Sequence, residues 1–403
     1  MIKAFKFQIK TSDKVKQRIE ETLDLCRELY NAALQKRRDA YKWKRKSISY
    51  IHQANQLPEI TKDRKELKTV HSQVFQNVLK RLDEAFQGFF LRIERGQKAG
   101  FPRYKGKYRY NSFTYPGSGW SLAGDKLKLS KIGSMRVMFT SPIEGEIKTI
   151  AIKREIDFLY VVFTCELEKQ EQVSQNEPLK VKAVDAGIEH FLTDENGKVV
   201  PNPQYYRRVE ARIKFLQKQL SRCKPFSGHW RRIKKQLAKL HRRVANQRRD
   251  FLHKQANKLI DQADVIIYEN LNISGMVKNH HLAKSISNVS WGMFFNMLDY
   301  KAENAGKITI DVCPNNTSQL CSNCKKKVPK GLSSRWHKCP YCSIVLHRDK
   351  NAARNILARG IEILLADGLA VIAPGGLTMV RSAKGEPENP LSKSRKQVAQ
   401  TLG

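Results

Sequence analysis

The spacing of apolar residues changes twice along the first half of the chain. Residues 2–9 alternate apolar side chains with lysines, which predicts a β-strand. From 14 to about 95, apolar residues recur every three or four positions, so helices are predicted, with a break at Pro58. Between 112 and 168, short β-rich runs separated by turn residues predict antiparallel strands. The first half is thus predicted to run strand, helices, strands.

The second half mixes strand-length apolar runs with longer helical ones. Strands are predicted at 181–188, 265–269 and 308–312, a hairpin around Asn196 and Gly197, and helices within 205–254 and at 291–305 and 350–366. Polar residues at 169–177 predict a linker between the halves. After Gly368 the sequence has little periodicity, so a largely disordered tail is expected.

Charge narrows the range of partners. The 403 residues include 75 Lys and Arg against 38 Asp and Glu, which gives a net charge of +37. Such a surplus repels itself unless a polyanion neutralises it, and this favours nucleic acid, with an anionic membrane as the alternative. The most apolar stretch, 361–377, contains Glu362, Asp367 and Pro374, so it predicts no clean membrane span. The first ten residues lack the apolar core of an export signal, and a cytoplasmic protein is expected.

The basic residues are most concentrated at 205–254, which holds 17 Lys and Arg against Glu210 and Asp250. Helical spacing places six of them over contiguous surface: Arg231, Lys234, Lys235, Lys239, Arg242 and Arg243. We expect these to contact phosphates, because a solvated helix usually mixes charges of both signs. An ordinary solvated helix face is the alternative.

Four cysteines form a metal-binding pattern. Cys321 and Cys324 make one C-x2-C pair, and Cys339 and Cys342 make a second pair after fourteen intervening residues. Four thiolates can close a tetrahedral zinc site, which leaves no position open for catalysis. Structural zinc is therefore predicted, and two redox disulfides are the alternative. The other four cysteines are scattered: Cys26, Cys165, Cys223 and Cys313.

Three carboxylates stand at positions where an acid is costly to bury. Asp185 and Glu269 each end an apolar strand, and Asp349 opens a helix. If one fold brings them together, they suit two Mg²⁺ or Mn²⁺ ions ~3.5–4 Å apart for phosphodiester hydrolysis. Taken singly, each acid has an alternative interpretation: Asp185 as a turn residue, Glu269 as an ion-pair partner and Asp349 as an ordinary acid at a helix N-terminus.

Several of these segments together resemble a known family. The segments AVDAGI (183–188), VIIYENL (265–271), NTSQLCSNC (316–324) and HRDKNAARNIL (347–357) resemble the RuvC-like nuclease and zinc-ribbon blocks of transposon-encoded TnpB (OrfB) RNA-guided endonucleases. These are related to compact type V CRISPR effectors. Segments 71–90 and 100–105 resemble the N-terminal half of the same family.

Three positions depart from the family pattern. His347 stands where members often have the first acid of Asp-Arg-Asp, so the catalytic role is assigned to the second acid, Asp349. Lys325 stands where a glycine often follows the second cysteine, which puts the knuckle turn in question. Ala186 replaces a larger apolar residue.

The resemblance implies a multidomain α+β fold: a β-barrel wedge domain with an inserted helical recognition lobe, then an RNase H-like (RuvC) α/β nuclease domain with an inserted zinc ribbon. The expected bounds are 1–11 and 105–178 for the wedge, 12–104 for the helical lobe, 179–316 and 345–367 for the nuclease, 317–344 for the zinc ribbon and 368–403 for a flexible basic tail.

The resemblance also implies a function. A guide RNA would direct cleavage of target double-stranded DNA beside a short transposon-adjacent motif, with Asp185, Glu269 and Asp349 as the Mg²⁺- or Mn²⁺-dependent catalytic triad. A monomer bound to the RNA is favoured, with the oligomeric state left open, and no membrane partner is expected. The resemblance also implies a prokaryotic cytoplasmic protein that is nucleoid-associated in action. Ser72, Gln73 and Gln76 are candidate readers of base edges in the adjacent motif, with ordinary helix-surface residues as the alternative.

Three other functions remain open from the sequence. They are a compact type V CRISPR effector, a nuclease-inactive RNA-guided DNA-binding regulator and a strand-joining transposase. The transposase is disfavoured because no tyrosine or serine nucleophile motif stands out.

Overall fold

The structure is a computed structural model. It describes residues 2–107, 109–167, 179–331, 334–368, 370–373 and 376–379. The chain divides into two compact units, Met1–Lys169 and Gln170–Gly403, each described below by itself. The predicted linker at 169–177 lies outside the described residues.

The first unit is built on an antiparallel sheet. Its strands are β1 (Ile2–Lys10), β2 (Ser112–Tyr115), β3 (Trp120–Ala123), β4 (Lys126–Leu129), β5 (Gly133–Met138), β6 (Glu146–Glu155) and β7 (Phe158–Glu166). They are ordered β2-β6-β7-β1-β5-β4-β3, and Phe5, Phe7 and Ile9 of β1 are buried as their alternation predicts. Among the described residues no ladder joins the edge strands β2 and β3, so barrel closure stays a prediction.

Helices fill the stretch between β1 and β2. They are α1 (Asp13–Lys44), α2 (Tyr50–Asn55), α3 (Leu57–Asp63) and α4 (Ser72–Glu94), with a 3-10 turn at Lys65–Thr69. Ser12 caps α1 through a bond from the Val15 N–H, and Pro58 lies in the first turn of α3, where its missing N–H costs nothing. A break between helices is present as predicted, at Gln56, two residues before Pro58. The apolar stripes of α1 and α4 share one core with the sheet.

The second unit is built on a mixed sheet. Its strands are β8 (Val181–Asp185), β9 (His190–Asp194), β10 (Val199–Pro201), β11 (Val265–Glu269) and β12 (Ile308–Val312), ordered β10-β9-β8-β11-β12. Strand β8 runs antiparallel to β9 and parallel to β11, which runs parallel to β12. The predicted hairpin is confirmed: β9 and β10 pair around Gly197, whose φ of 87° lies in the left-handed region.

Helices cover both faces of this sheet. They are α5 (Tyr205–Arg222), α6 (Gly228–Gln262), α7 (Ile273–Met276), α8 (His280–Val289), α9 (Trp291–Asn304) and α10 (Arg348–Ala366). Alternate residues of β11 separate the two layers. Ile266 packs in the core with α6 and α9, whereas Val265 and Ile267 pack with Ile356 and Leu364 of α10. None of the described helices is both long and apolar enough to cross a bilayer.

Two small hairpins complete the described chain. Strands β13 (Trp336–Lys338) and β14 (Val345–His347) pair within the cysteine region, and β15 (Ala370–Ala373) pairs with β16 (Gly376–Met379). The last hairpin differs from the disordered tail that the sequence predicts. Two short apolar runs flank Pro374 and Gly375 in the sequence, and the surrounding Gly- and Pro-rich composition obscured them. The remainder of the predicted tail, 380–403, lies outside the described residues.

Helix α10 sits very close to strand β11 at Gly360. A Cβ atom at this position would lie 2.3 Å from Cδ1 of Ile267 and within 2.7 Å of two more of its side-chain carbons. Only glycine permits this approach without displacement of a buried strand residue.

Gly360→Ala should therefore destabilise the protein by about 1–3 kcal/mol, through overpacking against Ile267. The matched control is Gly88→Ala within α4, where a Cβ meets nothing within 4 Å. It should be neutral, or stabilising by about 0.5–1 kcal/mol. Urea unfolding followed by circular dichroism measures both, and equal stabilities would contradict the close approach.

Candidate active site and metal centre

The first two candidate acids end neighbouring parallel strands. Val184 of β8 is aligned with Tyr268 of β11, so continuing this register by one residue sets Asp185 beside Glu269. Side chains alternate along a strand, and Ala183 packs on the α10 face of the sheet. Asp185 and Glu269 therefore both point to the face that α10 covers.

The third acid, Asp349, lies in the first turn of α10, where the helix dipole favours a negative charge. Its charge is close enough to act on Asp185. Burial, and then the charges of Glu269 and Asp349, raise the pKa of Asp185 well above its usual range. The structure thus brings together all three carboxylates predicted from the sequence.

Glu269 is the most enclosed of the three, with 7% of its surface exposed. Burial raises the pKa of its carboxyl, while a hydrogen bond from the Thr317 hydroxyl to Oε1 and the charges of Arg359 and Arg348 act to lower it. Arg348 also opposes the upward shift at Asp185. The sequence reasoning assigned no role to Thr317, Arg348 or Arg359.

His347, the residue in place of the family's additional acid, lies beside this group. Its Nδ1 is 3.8 Å from Oδ2 of Asp349, and its ring centroid is 5.9 Å from that of Trp336. A histidine thus replaces a carboxylate at the edge of the site, while the three acids assigned to the triad remain together.

The four predicted zinc ligands converge. Within the described residues, they are the only set of three or more His, Cys, Asp or Glu whose ligand atoms all lie within 4.8 Å of one another. Sγ of Cys321 is 3.6 Å from Sγ of Cys342, and Sγ of Cys324 is 3.5 Å from Sγ of Cys339. A tetrahedral zinc with Zn–S bonds of ~2.3 Å requires sulfur–sulfur distances of ~3.8 Å. The cysteines therefore fit zinc closely.

The thiols compete with one another for protons in this small space. Hydrogen bonds from the Ile344 N–H and from Asn323 lower the pKa of Cys342 to about 6. At Cys324, the Lys326 N–H acts to lower the pKa, but burial and the other three thiols raise it to about 11. A divalent ion that replaces the thiol protons removes this conflict.

Both C-x2-C turns end in the left-handed region. Lys325 and Ser343, the residues after the second cysteine of each pair, have φ of 61° and 56°. Their N–H groups donate to the carbonyls of Cys321 and Cys339, at 2.9 and 3.0 Å. The lysine that replaces the usual glycine therefore keeps the knuckle turn, at a backbone cost of about 1 kcal/mol.

Family models match three parts of the chain. A model described as "Probable transposase" (OrfB, IS605) matches residues 163–280, which include Asp185 and Glu269. A "Cas12f1-like, TNB domain" model matches 291–356, which include the four cysteines and Asp349. A "Helix-turn-helix domain" model of the same OrfB group matches 1–46, where the structure has β1 followed by the single long helix α1.

Curated relatives match over nearly the whole chain. A protein of Streptomyces pristinaespiralis is 30% identical over 96% of this chain and 96% of its own length, and it is named "Putative RNA-guided DNA endonuclease". InsQ of Escherichia coli K12, with the same description, is 28% identical over 90% of this chain and 93% of its own. This chain belongs to the TnpB (OrfB) family of RNA-guided DNA endonucleases. More distant relatives include the TnpB-like protein L79 of a mimivirus, 25% identical over 53% of this chain and 44% of its own.

The same family likeness extends to the fold. A solved structure entitled "Cryo-EM structure of the Cas12f1-sgRNA-target DNA complex" matches with a TM-score of 0.57 at 14% identity. The match covers 88% of this chain and 98% of the other. This TnpB-family chain therefore has a mixed α/β multidomain fold similar to that of Cas12f1.

The basic residues predicted to bind nucleic acid lie along α6. At about 100° per residue, the six occupy roughly half of the helix circumference, opposite the buried Ile233 and Val244. All six are exposed except Arg242, which is partly buried: Arg231, Lys234, Lys235, Lys239, Arg242 and Arg243. The helix thus presents one continuous cationic face.

The three polar candidates at the start of α4 differ in exposure. Ser72 and Gln76 are exposed, whereas Gln73 is partly buried and its Oε1 accepts a hydrogen bond from the Ser118 N–H at 3.1 Å. Gln73 is therefore already engaged in holding the loop before β3.

The strained knuckle turn yields a stability prediction. Lys325→Gly should stabilise the zinc-bound fold by about 1 kcal/mol, because glycine adopts positive φ without a Cβ penalty. Zinc loss to a competing chelator should slow by about fivefold. The control is Lys326→Gly, outside the left-handed region, which should not slow the loss. Equal rates for Lys325→Gly and the unsubstituted protein would show that the turn carries no strain.

Proposed function

We propose that this TnpB-family protein cuts target DNA by magnesium-dependent hydrolysis, guided by a bound RNA, beside a short transposon-adjacent motif. The observation that carries the proposal is the convergence of Asp185, Glu269 and Asp349 on one face of the second unit's sheet. These three carboxylates lie together at the ends of two strands and at the start of one helix. Their like charges repel, and a divalent cation would stabilise the arrangement.

Asp185, Glu269 and Asp349 would hold the magnesium. Hard carboxylate oxygens suit Mg²⁺ or Mn²⁺ and not a soft thiolate metal. Their ligand atoms are spread more widely than those of the zinc site, which suits ligands shared between two ions. Oε1 of Glu269 accepts the Thr317 hydroxyl, which fixes the carboxylate and leaves its remaining lone pairs for a metal.

The metal, when bound, activates the attacking water and stabilises the leaving oxygen of the phosphodiester. The protein itself fixes the positions of the three carboxylates. The strands hold Asp185 and Glu269 side by side, and α10 brings Asp349 to them. Arg348, whose charge acts on both strand-end acids, moderates their repulsion.

Zinc has a separate, structural role in this proposal. All four cysteine sulfurs are used in one tight cluster, so a zinc held there has no open position for water or substrate. The ion that cuts DNA must therefore be the one held by carboxylates.

Guide RNA and target DNA are the proposed partners. Guided recognition leaves sequence reading to base pairing and requires the protein to hold the duplex backbone in a basic channel. The cationic face of α6 suits that task, and the Cas12f1 structure of similar fold is entitled as a complex with sgRNA and target DNA. Ser72 and Gln76 are the proposed readers of the adjacent motif.

We further propose that the domains follow the family plan. The seven-stranded sheet would be the wedge, with α1 to α4 as the helical recognition lobe inserted between its first two strands. The second unit's sheet with α10 would be the RNase H-like nuclease. One protein per guide RNA is the proposed assembly.

A compact type V CRISPR effector is the second candidate, because the Cas12f1 fold matches over most of both chains. The curated relatives of greater identity are named as RNA-guided DNA endonucleases, and they favour the first candidate. A neighbouring transposon end or CRISPR array in the source genome distinguishes the two.

Asp185→Asn keeps the shape of the side chain and removes its charge. With the cognate guide RNA it should reduce target cleavage by more than about 100-fold. This loss is larger than the effect of removing a residue that only hydrogen-bonds to a metal ligand. Target binding should change little, because the nucleic-acid contacts proposed above lie on other residues. Cleavage and binding are measured on the same labelled duplex.

The matched control for this variant is Glu189→Gln, an exposed acid four residues away that pairs with Arg335 at 2.9 Å. It should cut at nearly the unsubstituted rate. Full cleavage by Asp185→Asn would rule out the proposed site, and absence of cleavage by the unsubstituted complex would favour a nuclease-inactive regulator.

A further inference from the structure

Helix α10 holds the segment between β12 and the first zinc knuckle through three polar side chains spaced one turn apart. These are Asn351, Asn355 and Arg359, which share one helix face. Arg359 donates to the carbonyls of Cys313 and Asn315, at 2.6 and 2.8 Å. The segment 313–320 is thus bound to the helix that carries Asp349.

The two asparagines make the innermost of these contacts. Nδ2 of Asn355 donates to the carbonyls of Thr317 and Leu320, at 2.9 and 2.8 Å. Nδ2 of Asn351 donates to the same Leu320 carbonyl at 2.7 Å, and its Oδ1 accepts from the Ser322 N–H at 2.9 Å. Both side chains are almost fully buried, so an unmet amide here would be costly.

Leu320 and Ser322 are the neighbours of the zinc ligand Cys321. The asparagines therefore bind the backbone on both sides of that cysteine. Any movement of the first knuckle must move these hydrogen-bond partners, or break their bonds.

Thr317 connects the same segment to the active site. Asn355 holds its carbonyl, and its hydroxyl donates to Oε1 of Glu269. The hydroxyl also lies 3.1 Å from the carbonyl of Pro314, and 3% of the residue is exposed. A single hydroxyl thus sets the orientation of a buried carboxylate, as outer-shell partners do for metal ligands.

We propose that Thr317 is a positioning residue for Glu269, and that Asn351 and Asn355 make this positioning depend on the zinc knuckle. The zinc centre then sets the affinity of the cleavage site for its divalent ion, through the path Cys321, Leu320, Asn355, Thr317 and Glu269. This inference rests on the proposed function, since it assigns Glu269 to the cleavage metal.

The first test compares Thr317→Val with Thr317→Ser in the guide-RNA complex. Valine keeps the shape and loses the hydroxyl, so the Mg²⁺ concentration for half-maximal cleavage should rise by about tenfold or more. Serine retains the hydroxyl and should stay within about twofold of the unsubstituted protein. Target binding and zinc content should be unchanged in both.

A second readout does not depend on cleavage. Mn²⁺ binding, followed by water-proton relaxation, is compared between Thr317→Val and unsubstituted complexes that carry the same RNA. The RNA contribution is common to both, so the expected difference is the loss of tight Mn²⁺ binding in the valine variant. Equal Mn²⁺ affinity in the two would overturn the positioning role.

The coupling to the knuckle is tested by combining variants. Asn355→Ala should raise the Mg²⁺ requirement, and Asn355→Ala with Thr317→Val should raise it no further than Thr317→Val alone, because both act on one path. Fully additive effects, or an Asn355→Ala variant that loses zinc or thermal stability with an unchanged Mg²⁺ requirement, would overturn the coupling.

The outcomes also separate this inference from the function on which it rests. If Thr317→Val cleaves with the normal Mg²⁺ requirement, the positioning role is wrong and the endonuclease assignment stands. If the unsubstituted complex cleaves at no Mg²⁺ or Mn²⁺ concentration, the proposed function itself fails.

Discussion

The candidate active site depends on holding Asp185, Glu269 and Asp349 close together against electrostatic repulsion. Burial and the charges of Glu269 and Asp349 oppose ionisation of Asp185, so rigid elements must hold the three acids together against this repulsion. Two parallel strands place Asp185 beside Glu269. Helix α10, which packs closely against β11 at Gly360, carries Asp349. The burial of α10 against β11 therefore stabilises a site whose charges oppose their own assembly, until a divalent cation balances them.

The four-cysteine cluster and the proposed carboxylate metal site differ in ligand chemistry and are connected through the backbone. Four thiolates suit zinc and bind magnesium poorly, whereas hard carboxylate oxygens suit the magnesium proposed for the cleavage site. Between them lies a short segment whose carbonyls are held by Asn351, Asn355 and Arg359. The zinc ribbon is thus attached to the same helix that supplies the third carboxylate, and disturbance of either centre can reach the other through a few hydrogen bonds.

Local patterns predicted the parts of the fold that short-range physics determines. Alternation at β1, the helical spacing of α4 and the paired cysteines were sufficient to predict those elements and the four-cysteine cluster. The role of Thr317 depends on a partner 48 residues away, so no local spacing reveals it. Asn351 and Asn355 left a weak signal, as amides spaced one turn apart among apolar residues. Lys325 shows a further limit, since its place in the knuckle turn lies in the left-handed region, which lysine disfavours.

The most direct test of RNA-guided cleavage is to change the guide and map the cut. The purified protein carries one of two guide RNAs of different sequence, and a plasmid contains both matching sites, each beside the adjacent motif. With Mg²⁺, cleavage should occur only at the site that matches the guide and should move when the guide is exchanged. Cleavage at the same position with either guide, or cleavage that persists after chelation of divalent ions, would contradict a metal-dependent, RNA-guided nuclease.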